Sequence, residues 1–263
     1  MRNRLVAIVA AAVIAVFTAG CSSNSSNSPS PSSETSSSAV SGTVTVLAAA
    51  SLQEAFTTLG QQFEAANPGT TVQFSFGASS ALAEQINSGA PADVFASASP
   101  TNMKQVVDAG GASQSTNFAK NVMEIAVPPS NPANVTSVAD LAKPAVKVAL
   151  CQPQVPCGAV AAQVFQNAGV TVTPVTLEAD VKSTLSKVEL NEVDAGVVYV
   201  TDVRSAGNQV LGVAIPDSVN ASTEYPIAAL TKAPNAAGAQ AFVDFVLSPV
   251  GQSALTAVGF EQP

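Results

Sequence analysis

The sequence predicts an α/β fold in which helices pack on mostly parallel sheets. Short β runs alternate with helical stretches through most of its 263 residues, the pattern of that class. Hydrophobic residues make up 47% and charged residues only 11%, which supplies a core and excludes disordered, coiled-coil and collagen-like chains. No tandem repeat interrupts the alternation. Net charge is −8, from 10 basic and 18 acidic residues, and no basic stripe exists to replace phosphate counterions, so no nucleic-acid partner is expected. Histidine is absent, which removes Ser-His and Cys-His catalytic pairs and the usual zinc sites.

The first segment is an address. Arg2 and Arg4 precede an uncharged apolar run from Leu5 to Phe17, and Thr18-Ala19-Gly20-Cys21 follows. This is a basic region, a short apolar region and small cleavage-site residues, read as a secretory signal over residues 1–20. Cys21, standing directly after them, resembles the lipobox cysteine that bacterial lipoproteins acylate; Thr18 departs from the leucine usual three places earlier. Twelve of the twenty residues from Ser22 to Ser41 are serine, with Pro29 and Pro31 among them, so residues 21–41 read as an acylated cysteine and a tether. The expected location is the outer face of the cell membrane, held by lipid.

Residues 42–263 form the body. Thr43–Leu47 is the first strand. Ser51-Leu52-Gln53-Glu54 has capping-box form and opens a helix with the apolar stripe Leu52, Phe56, Leu59, Phe63. Asn67-Pro68-Gly69 ends it. Val72, Phe74 and Phe76 alternate in a second strand, and Gly77-Ala78-Ser79-Ser80 leads into a helix carrying Leu82 and Ile86. Val94–Ala96 is a third strand, and Ser99-Pro100 caps a helix that stops near Gly110-Gly111. A fresh βα series starts at Val122–Val127, followed by a strand from Val146 to Leu150, a loop from Cys151 to Gly158 and then a helix to Ala168, stopped by Gly169. Val170–Val175 reads as extended, Val181–Leu190 as helix, Gly196–Val200 as a buried strand and Tyr225–Leu230 as extended. Two closing helices start near Asn235 and at Ser248-Pro249.

Four turns share a chemistry. Ala48–Ser51, Gly77–Ser80, Val155–Gly158 and Glu178–Val181 each end a strand in small or polar residues and open directly into a helix. A helix start has unpaired N–H groups and roughly +0.5 of partial charge. Converging, such starts would bind an anion without Lys or Arg. Singly, Ser51 and Ser79 read as plain N-caps. The carboxylates Glu178, Asp180, Glu189, Glu192 and Asp194 read as a solvated helix face rather than an acid/base cluster, and Asp93 as a loop-bracing acceptor.

Ala48–Leu52, Phe76–Leu82 and Gly89–Phe95, then Val155–Gly158, Glu178–Lys182, Gly196–Tyr199, Glu224–Ile227 and Gly259-Phe260 stand in an order and at spacings that resemble the molybdate-binding proteins of ABC-type importers. The resemblance covers about Thr43 to Phe260. It implies a two-lobed periplasmic-binding-protein fold of type II. Each lobe would be a mixed, mostly parallel sheet flanked by helices, with the ligand cleft between them. Residues 42–123 plus 228–263 would form the first lobe and 124–227 the second. By position it implies that Ser51 and Ser79 give hydroxyl and backbone N–H bonds, Cys157 and Val181 give backbone N–H groups, and Tyr199 gives its phenol. It implies a monomeric receptor that captures molybdate or tungstate and hands it to a permease with its ATPase. No cofactor, direct metal ligand or catalysis is implied. The alternatives are a receptor for another tetrahedral oxyanion such as sulfate, and a secreted hydrolase using Ser51 or Ser79, for which no base is apparent.

Two departures matter. The family commonly has alanine where this chain has Cys157, a tolerable change if only the backbone N–H is used. In an exported protein Cys151 and Cys157 are expected to form a disulfide bracing the loop; two buried free thiols, or a dithiol lacking Cys-x-x-Cys spacing, are the alternatives. Glu54 is expected to cap the first helix, and its charge predicts that Glu54→Gln leaves anion affinity equal or tighter.

Overall fold

A computed structural model describes residues 40–263; the leader, Cys21 and the tether up to residue 39 lie outside the described residues. Strand β1 (Gly42–Ala49) pairs in parallel with β2 (Thr70–Gly77) and β3 (Val94–Ala96). Helix α1 (Gln53–Ala66) connects β1 to β2, α2 (Ser79–Asn87) connects β2 to β3, and α3 (Pro100–Asp108) follows β3. The predicted stripe on α1 is core: Leu52, Phe56 and Leu59 are fully buried and Phe63 is 1% exposed. Phe56 lies 5.7 Å from Phe118 and 6.0 Å from Phe242 between ring centroids, a tilted cluster of the kind aromatic quadrupoles favour.

Strand β4 (Thr116–Val127) is longer than expected and belongs to two sheets. Its first part, Thr116 to Val122, pairs antiparallel with β9 (Ser222–Ala229); Met123 to Ala126 pairs with β7 (Ala195–Tyr199), and Glu124 to Val127 with β8 (Leu211–Ala214). The early part was hidden in the sequence because Thr116, Asn117, Lys120 and Asn121 break any apolar run. The second sheet continues from β7 to β5 (Val148–Cys151) and then β6 (Thr176–Glu178), both contacts of β5 being parallel. Helices α4 (Pro156–Ala168), α5 (Val181–Glu189) and α6 (Val200–Ala206) follow β5, β6 and β7. Helices α7 (Ala236–Leu247) and α8 (Pro249–Val258) close the chain, capped by Asn235 and Ser248 as expected.

Three local readings are corrected. The stretch 170–175 is not a strand: β6 begins after Pro174, which has no N–H for a ladder. Val200 starts α6 instead of ending β7, and β8 went unseen because its residues alternate poorly. The expected lobe boundary at Ile227 falls inside β9, whose Tyr225 and Ile227 pack into the core of the first half. The chain changes core near Val122/Met123 and again near Ala221/Ser222, since Met123 and Ala221 pack against the other core.

Candidate functional site

Five helix starts face one small pocket. Ala49, Ala50 and Ser51 come from the end of β1 and a 3-10 turn, Ala50–Leu52, before α1. Gly77, Ala78 and Ser79 come from the start of α2, Pro156 and Cys157 from α4, Asp180 and Val181 from α5, and Tyr199 from the residue before α6. Each of the five residues expected to hold a ligand lines this space. All are buried. No Lys or Arg is among the lining residues.

The lining offers donors. Ser79 Oγ accepts the Ala98 N–H at 2.9 Å, which leaves its own hydrogen free. Ser51 Oγ lies 2.9 Å from the Tyr225 hydroxyl. Burial pushes the Tyr225 phenol above its ordinary range; its hydrogen bond with Ser51 opposes the shift and the neighbouring Asp202 charge adds to it, so it keeps its proton. Tyr199 is 1% exposed and its hydroxyl has no hydrogen-bond partner in the protein. Burial first, then Tyr225 and Asp202, hold that phenol well above its ordinary value. A buried, protonated and unpartnered hydroxyl facing a pocket is a donor awaiting an acceptor.

Backbone geometry supplies the rest. The first N–H groups of each helix have no intrahelical acceptor. At α5, Asp180 caps the helix by accepting the Ser183 N–H at 2.8 Å, which turns its carboxylate onto the helix and leaves the Val181 N–H without an intrahelical acceptor. At α4, a disulfide joins Cys151 to Cys157 with Cα atoms 5.8 Å apart. It ties the end of β5 to the first turn of α4. Gly158 is needed beside it, because a Cβ there would stand 2.1 Å from the Gln152 carbonyl oxygen.

Two expectations about α1 are corrected. Ser51 makes no cap; it sits inside the 3-10 turn, and α1 starts two residues later without a side-chain cap. Glu54 does not cap either. Its carboxylate meets Lys182 Nζ at 2.8 Å, so its charge is already opposed and the expectation of equal or tighter binding on neutralisation loses its basis. The carboxylate row is dispersed: Glu192 pairs with Lys187, Asp194 accepts the Lys147 N–H, and Glu178 accepts from Thr176. Asp93 braces loops as expected, accepting from the Thr45 and Asn235 N–H groups.

Sequence reasoning missed Tyr225 as the partner of Ser51, 174 residues away, and Lys182 as the partner of Glu54. No local pattern encodes either. Among the described residues no group of three His, Cys, Asp or Glu side chains is placed to hold a metal ion. The arrangement can neutralise an anion by hydrogen bonds and dipoles, and both phenols are held in the protonated form, unable to serve either serine as a base.

Comparison with known proteins places the chain in a family. The profile of the bacterial extracellular solute-binding proteins matches residues 44–261. The molybdate-binding protein ModA of Mycobacterium tuberculosis is 42% identical over 222 residues, covering 84% of this chain and 85% of that protein. Among solved structures, the periplasmic molybdate-binding protein of Azotobacter vinelandii superposes with a TM-score of 0.74 at 20% identity, over 84% of this chain and 99% of its own. The sulfate-binding protein SubI of Mycobacterium tuberculosis gives 0.75 at 18% identity, over 84% and 86%.

Proposed function

This chain belongs to the molybdate-binding proteins of the bacterial extracellular solute-binding family, and we propose that it captures molybdate, and tungstate with it, for an ABC importer. The observation that carries the reading is the unpartnered Tyr199 hydroxyl among five converging helix starts. Molybdate at neutral pH is a dianion with acceptors only. A wall of donors satisfies it, whereas a protonated phosphate would bury its own O–H without an acceptor, at about 1–3 kcal/mol. Sulfate has the same chemistry and a smaller radius, so cavity size must separate the two.

The expected ligand set takes Ser51 and Ser79 from one half and Cys157, Val181 and Tyr199 from the other. In this reading Tyr225 donates to Ser51 Oγ and frees the serine hydrogen for the ligand. The halves act as lobes joined through β4 and the start of β9, and the closed form is favoured because only it makes every contact. A permease would read closure as occupancy. The leader and Cys21 extend the reading to a lipid anchor outside the membrane.

Calorimetric titration of the purified protein with molybdate, tungstate, sulfate and phosphate tests this. One-to-one binding of the first two and silence from the last two is expected. Sulfate binding as tightly as molybdate would keep the cleft and overturn the assigned ligand. Ser51→Ala with Ser79→Ala should cost about 1.5–3 kcal/mol per lost bond to charge with the fold intact, and an unchanged affinity would refute the site.

A further inference from the structure

We propose that Glu54 and Lys182 are positioning residues that clasp the two lobes over the bound anion and set how long it stays, an inference that rests on the lobe-closure reading above. Lys182 stands in the first turn of α5, next to Val181. Its ammonium lies 2.8 Å from Glu54 Oε1, 3.2 Å from Asp202 Oδ1 and 3.1 Å from Ser205 Oγ. Three oxygens surround the ammonium, and the contact with Asp202 Oδ1 is an ion pair without a hydrogen bond. Two of them, Asp202 and Ser205, belong to α6 of the same lobe as the lysine. Only Glu54, on α1, comes from the other lobe.

This division of partners is what a clasp requires. Asp202 is fully buried, and its second oxygen accepts the Tyr199 N–H at 3.0 Å. Asp202 and Ser205 therefore hold the ammonium in place whether the cleft is open or shut, and the buried carboxylate never loses its counter-charge. Opening separates only the half-exposed Glu54, whose side chain is 45% accessible against 20% for Lys182, and a freed surface carboxylate is readily hydrated. The contact thus favours closure without making opening prohibitive.

The clasp is also wired to the site. Glu54 follows Ser51 by one turn, Lys182 directly follows Val181, and Asp202 anchors the backbone of Tyr199. Each partner moves with a residue that lines the pocket. A contact made only on closure slows release and leaves capture nearly untouched.

The test uses the full-length protein. Release of radiolabelled molybdate is followed during a chase with unlabelled molybdate, and the lobe separation is read between spin labels on cysteines introduced at the exposed Gln61 and Gln166. Glu54→Gln should release molybdate about two- to tenfold faster, with association changed by less than about twofold, and its release rate should respond less to salt than the wild type's. Without ligand, the wild type should populate a shorter label separation that the variant loses. An unchanged release rate with superimposable distance distributions would overturn the clasp. If the wild type takes up no molybdate, the functional reading fails by itself. The ligand-free distances then decide the clasp: a short population lost in Glu54→Gln supports it, and identical distributions refute it.

Discussion

Tyr199 sets the chemistry of the site at the scale of one residue. Its hydroxyl is buried and has no hydrogen-bond partner among the protein's own groups, so the fold does not depend on it. Tyr199→Phe removes the donor and no contact within the protein. We expect the variant to bind molybdate about 1.5–3 kcal/mol more weakly, yet to melt at the same or a higher temperature without ligand. Calorimetry and thermal unfolding check the two halves of this prediction. A variant that bound normally and melted lower would mean that the hydroxyl serves the fold. The serines differ, because each already has a protein partner. Ser79 Oγ accepts the Ala98 N–H and keeps a hydrogen for a ligand, while Ser51 Oγ and the Tyr225 hydroxyl share a hydrogen bond in which either can donate. The sequence pattern around Ser51 suggested a cap instead, because capping and ligand binding use the same residue at the same helix start.

At the scale of elements, the decisive unit is β5, its loop and α4. The disulfide from Cys151 to Cys157 joins the strand end to the first helical turn, and Gly158 lets the Gln152 carbonyl approach within 2.1 Å of where a Cβ would be. Gly158→Ala must push the loop and the helix start apart. It should lose about 1–3 kcal/mol of stability and weaken molybdate binding by shifting the Cys157 N–H, measurable by denaturant titration and calorimetry on the same sample. Stability lost with full affinity would show that the Cys157 amide does not touch the ligand. Most elements were legible because their signals are local. The α1 stripe, Ser99-Pro100, Asn235 and Ser248-Pro249 each mark a helix within a few residues. β8 and the first half of β4 were not, because their pairing partners and not their own alternation make them strands.

For the whole molecule, charge and topology pull in different directions. A chain of net charge −8 repels a dianion at long range, while neutral donors would bind it at contact. The Debye length shortens from about 30 Å at 0.01 M to about 8 Å at 0.15 M salt. Molybdate association should therefore quicken over that range, and stopped-flow rates that fall with added salt would reveal a net attractive cleft. One strand, β4, leaves one sheet for the other. β4 crosses near Val122/Met123, and the chain returns just before β9. That topology lets five helix starts from two cores meet in one pocket.

By itself the sequence determined the class of the fold, the order of most of its elements and, through the resemblance of its ordered motifs, five of the residues that line the pocket. These are properties of short segments: periodicity, caps, and small residues where a strand turns into a helix. Tertiary structure alone decided that Tyr225 pairs with Ser51, that Glu54 answers Lys182 and not its own helix, and that β4 carries the chain from one core to the other. Each of these is a contact between segments far apart in the chain, and no local pattern encodes which distant partner will stand within 3 Å of a given side chain.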